Sequence, residues 1–139
     1  MPTWSNESTV RLLQCHPDLV TLFNIVIQGY DCKVLCGHRS HQLQLAEYRA
    51  GRSQVLDSRH NMTPSGAIDV APYPVYWPDA KGLARKAIVG RLVRFYHFAG
   101  YVLATAEHLG IKIRWGGDWD SDNDFMDQKF HDLIHFERV

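Results

Sequence analysis

The most constraining feature of this chain is a run of apolar residues at Leu92, Phe95, Tyr96, Ala99, Val102, Leu103 and Ala106, closed by Gly110. That spacing puts one apolar stripe along a single long helix, which must be buried against something else. A second stripe, Leu19, Leu22, Phe23, Val26 and Ile27, begins after Pro17 and stops at Gly29. It predicts another core helix. Between the two stripes the prolines Pro72, Pro74 and Pro78 forbid a continuous helix until after Asp79. The remaining apolar segments are short. Cys32–Cys36, Ala67–Ala71, Ile111–Trp115 and the closing LIHFERV read as strands, and Ser40 caps a further helix through HQLQLAEYRA that Gly51 ends. RSQVLDSRHNMTPSG is then a long polar loop, a common place for functional side chains. Helices and short strands segregated in this way predict an α+β fold. A chain of 139 residues without repeat or linker predicts one domain over residues 1–139.

Charge narrows the function. Fifteen basic and fifteen acidic residues cancel, which argues against a nucleic-acid partner, since a polyanion calls for a basic surface. No segment reaches membrane-spanning length, so no stable membrane association is expected. The first residues lack a basic region followed by an unbroken apolar stretch, so an export signal is not expected either. Three cysteines, Cys15, Cys32 and Cys36, fit a reducing compartment better than a disulfide framework. Cys32 and Cys36, four apart on one strand, are expected on one buried face.

Among eight histidines, two clusters place an imidazole near a carboxylate. His60 ends the polar loop nine positions before Asp69, and His135 stands three positions after Asp132. Zinc hydrolases commonly use three His and carboxylate ligands and leave the fourth position to water. His60, Asp69 and His135 supply such a set, and Asp132 is then the general base. On spacing alone, the solvated loop or turn-capping reading of His60 and Asp69 is favoured over ligation. A competing reading takes His131 and His135 as a helical HxxxH zinc pair, but it needs helix and a third ligand where only four residues remain. Arg39, between a strand and a helix cap, can project into a cleft and pair with a carboxylate or oxyanion, although spacing alone favours a surface residue. Asp118, Asp120, Asp122 and Asp124 resemble the start of a calcium loop, yet Asn123 takes the place of its glycine and Lys129 that of its bidentate glutamate. Calcium therefore stays open beside a solvated acidic loop.

Together, GHRS with Gln44, Ser53, SRHNMTPSGAIDVAPYP, IRWGGDWD and DLIHFE resemble the VanY-like D-alanyl-D-alanine carboxypeptidases and the phage L-alanyl-D-glutamate endopeptidases, and look most similar to compact phage endolysins. The resemblance covers nearly the whole chain. It implies a small antiparallel sheet carrying one zinc, flanked by helices, with His60, Asp69 and His135 as ligands and Asp132 as the catalytic acid. It also implies Arg39 as the residue that stabilises substrate or transition state, Ser53 and Ser58 as substrate-side serines, and Gln44 as a cleft residue. Two departures stand out: two extra residues between His60 and Asp69 relative to SxHxxGxAxD, and Ile134 where DxPHFE has proline. The implied activity is hydrolysis of the L-alanyl-D-glutamate bond of bacterial peptidoglycan by a monomer. Such an enzyme is made in the host cytoplasm and acts at the wall after membrane permeabilisation. The alternatives are a D-alanyl-D-alanine carboxypeptidase and a non-catalytic, zinc-stabilised wall-binding module.

Overall fold

A computed structural model describes every residue from Met1 to Val139. Its elements run α1 (Asn6–Leu12), α2 (Pro17–Gly29), β1 (Cys32–Cys36), α3 (His41–Arg49), a 3-10 turn (Arg59–Asn61), β2 (Ala67–Pro72), α4 (Arg85–Leu109), β3 (Ile113–Gly116) and β4 (Asp132–Arg138). The strands form one antiparallel sheet in the order β1-β2-β4-β3. This is the α+β class that the segregated pattern predicts.

Local chemistry explains each helix. The His16 side chain accepts the Asp18 amide and Pro17 opens the first turn, so α2 starts where its apolar stripe does. All five stripe residues of α2 are buried. Gly110 ends α4 with φ 70°, a left-handed conformation that glycine adopts without penalty. The buried face of α4 is Phe95, Phe98, Ala99, Val102 and Ala106; Leu92 lies on its exposed half. α4 begins six residues after Asp79, at Arg85, and β3 begins two residues later than the pattern suggests.

α1 has no counterpart in the apolar pattern, because seven residues give only two buried positions. It covers the outer edge of β1: the Ser8 hydroxyl accepts the Val34 amide at 3.0 Å and Arg11 donates to the Val34 carbonyl at 3.1 Å. Those groups would otherwise be an open template for another strand.

Strand alternation gives the sheet two chemically different faces. Val34, Ile68, Val70, Trp115 and Phe136 join one apolar cluster with α2 and α4. Phe136 sits at its centre, edge-on to Phe23 at 5.6 Å and Phe98 at 6.2 Å. Phe136→Ala is expected to cost about 3–5 kcal/mol, read as a lower midpoint in urea denaturation. The opposite parity, Asp69, His135 and Glu137, turns away from this core, and Asp69 pairs directly with His135 across β2 and β4. A bulge between Val34 and Cys36 reverses the parity of β1, so Cys36 pairs with Asp69 and leaves the core that Cys32 enters. The expectation of one buried face for both cysteines is corrected by this extra residue.

Candidate active site

Two histidine side chains converge on one carboxylate oxygen. Asp69 Oδ1 lies 3.0 Å from His60 Nε2 and 3.3 Å from His135 Nδ1. The outer nitrogen of each ring has its own partner: His60 Nδ1 is 2.7 Å from the Gly37 carbonyl, and His135 Nε2 is 2.9 Å from Glu137 Oε1. Both rings are thereby fixed with one nitrogen facing Asp69. Burial alone would raise the Asp69 carboxyl, but His60 and His135 outweigh it and hold the group well below the usual carboxylate range. Burial disfavours the His60 cation, yet Asp69 lifts its pKa to about 10; His135, with Asp69 and Glu137 beside it, lies at about 9. Two imidazoles facing one buried carboxylate are side-chain types that zinc sites commonly use.

Arg39 closes the other side of Asp69. Its Nη2 is 3.3 Å from Asp69 Oδ2 and its Nη1 donates to Gln44 Oε1 at 2.9 Å. Gln44 donates in turn to Ser53 Oγ and to the Val55 carbonyl, both at 2.8 Å. Gln44 is fully buried, so it underlies the cleft and reaches it through Arg39, Ser53 and Val55. The Ser58 hydroxyl accepts the His60 amide at 3.2 Å and caps the turn that carries this histidine. Ser53 and Ser58 both line the cleft.

Asp132 opens β4, and its neighbour across the bulge is Gly116. A Cβ at Gly116 would collide with the Asp132 carbonyl, so glycine there allows the close approach that sets the carboxylate over the site. Burial, with Asp69 adding to it, raises the Asp132 pKa to about 6. A carboxyl tuned there can hold or release a proton near neutral pH. These groups border a cleft of about 810 Å³ that also includes Trp77, Trp119 and Phe130.

A family model described as phage L-alanyl-D-glutamate peptidase matches residues 3–139. The chain belongs to this family. The peptidase is also similar to the crystal structure of Serratia marcescens L-Ala D-Glu endopeptidase ChiX, with a TM-score of 0.69 and 26% identity over 98% of this chain and 89% of that one. No curated protein matches it in sequence. The peptidase is accordingly an enzyme that hydrolyses peptide in peptidoglycan.

Two residues of its site escaped the sequence reading of roles. Cys36 presents its sulfur within 4.8 Å of ligand atoms of His60 and Asp69, a group able to hold a metal and compatible with zinc. The CKVLC pattern has no mark of the bulge that brings it there. Glu137 links His135 to Arg114 and Arg59, at 2.9 Å in each case. Its position two residues after His135 on a strand, hence on the same face, was the available signal. His131 is exposed, and β4 is strand, so the helical HxxxH reading is excluded. In the acidic loop, Asp118, Asp120 and Asp122 come within 4.8 Å, and the Asp118 carboxylate accepts the Asp122 and Asn123 amides at 3.3 and 3.0 Å.

Proposed function

We propose that residues 1–139 form a single catalytic domain, a zinc peptidase that cuts the L-alanyl-D-glutamate bond of peptidoglycan stem peptides. The carrying observation is the shared carboxylate oxygen of Asp69, faced by one nitrogen each of His60 and His135 whose other nitrogens are already anchored. His135 is preferred to Cys36 as the third ligand because Glu137 orients its ring. Zinc bound there supplies Lewis acidity and makes water acidic enough to be activated near neutral pH.

The other residues then take distinct parts. Asp132 removes the proton from the attacking water and returns it to the departing amine. Arg39, held in place by Gln44, offers its guanidinium to the carbonyl oxygen as charge develops there. Ser53 and Ser58 contact substrate along the cleft, and Gln44 acts through Arg39 and Ser53. Calcium is not required by this reading. No helix is long and apolar enough to cross a membrane. We take the working form to be a monomer made in the host cytoplasm, reaching the wall after membrane permeabilisation, with neither nucleic acid nor bilayer as a partner.

Digestion of purified Gram-negative peptidoglycan, with released fragments read by mass spectrometry, tests the bond assignment. A soluble stem peptide beginning at D-Glu is expected. Loss of a single D-Ala would instead make the protein a carboxypeptidase, and no release at all would leave a wall-binding module.

A further inference from the structure

Three arginines line the cleft, and their commitments differ. Arg39 has both Nη atoms engaged, by Gln44 and Asp69. Arg52 is gripped by Glu47 through Nε at 2.8 Å and Nη2 at 3.2 Å. Arg59 is held from behind. Its Nε lies 2.9 Å from Glu137 Oε2, no other atom of its guanidinium has an ionic partner, and the side chain is 41% exposed. Glu137 is shared with Arg114, so one carboxylate faces two guanidinium groups and a positive charge is left over. The backbone fixes the position further. Arg59 opens the 3-10 turn directly before His60, and its carbonyl accepts the Gly66 amide at 2.9 Å.

The geometry points to Arg59 as the specificity-determining residue for the acid on the leaving side of the scissile bond, its two Nη groups receiving the free α-carboxylate of the D-glutamyl residue. The inference rests on the peptidase reading above. In a stem peptide the D-glutamyl residue continues through its side-chain carboxyl, so its α-carboxylate stays free and lies next to the nitrogen that departs. A guanidinium with both Nη groups open matches a carboxylate through two parallel hydrogen bonds. The ion pair with Glu137 at Nε already restrains the side chain, so less of its freedom is lost when substrate binds. Because Glu137 also orients His135, one carboxylate joins the recognition of substrate to the metal site.

The test uses two stem peptides that differ only at this group, one with the D-Glu α-carboxylate and one with its carboxamide. Wild-type protein is expected to favour the acid in kcat/KM by roughly ten- to a hundredfold, the scale of a charged hydrogen-bonded pair. In Arg59→Ala the ratio falls toward one through a raised KM for the acid, while zinc content holds. Arg59→Lys, a point charge without the fork, gives an intermediate ratio and stands in should the alanine variant fold poorly. Equal losses on both peptides, or a wild-type enzyme indifferent to the amide, would overturn the assignment. Wild-type protein that cleaves neither peptide fails earlier, at the peptidase reading itself.

Discussion

Asp132→Ala is expected to lower kcat by about two to four orders of magnitude, the usual contribution of a positioned general base, while zinc content and the melting transition stay near wild type. The asymmetry is the informative part. Asp132 comes from the start of β4 and makes no side-chain hydrogen bond to His60, Asp69 or His135, so its loss leaves the contacts among those three whole. The pH profile carries a second signature. Burial raises Asp132 to about 6, and a base acts only when deprotonated, so kcat/KM falls as pH drops through that value. A cation beside the carboxylate lowers its pKa, which places the acid limb at or below pH 6. In the alanine variant that limb disappears from the residual rate. A variant with undiminished turnover would remove Asp132 from the mechanism.

His60→Ala is expected to abolish both zinc binding and activity, and to destabilise the protein with or without metal. The reason lies in the packing around Asp69. His60 and Asp69 side chains are 2% and 9% exposed and 3.0 Å apart. Removing the imidazole strips a buried carboxylate of its nearest partner, a change that costs about 3–5 kcal/mol when a buried pair is broken. It also removes the shortest contact to the Gly37 carbonyl, which keeps the Ser65 hydroxyl at 3.1 Å. Element analysis should find no stoichiometric zinc in the variant, and denaturant melts should shift in the metal-free state as well. Full zinc content in His60→Ala would point to a site built on other residues.

Much of this arrangement could be read before any coordinates. The two apolar stripes locate α2 and α4, because helical spacing is a local property and these helices face one core. Strand type was equally legible for β2 and β4, which carry Asp69 and His135. Their direct pairing was not, since cross-strand register depends on chain segments far apart in sequence. The same limit hid the bulge in β1, where one extra residue turns Cys36 from the core to the site. Arg39 was visible as a residue between strand and cap, but its anchoring by a fully buried Gln44 rests on tertiary contacts. Gln44 reads as a polar residue on a helix that shows little else buried, and the hydrogen bonds that justify its burial come from a loop nine and eleven residues away. α1 escaped because it serves as cover for a strand edge through Ser8 and Arg11, polar work that leaves no apolar stripe.

The measurement that bears most directly on the metal assignment is titration of zinc into chelator-stripped protein while peptidoglycan cleavage is followed. Stripped protein should be inactive, and activity should return as a single equivalent of zinc is added, with no return in His60→Ala. Full cleavage by the stripped protein, or recovery in the histidine variant, would contradict a catalytic zinc held by His60, Asp69 and His135.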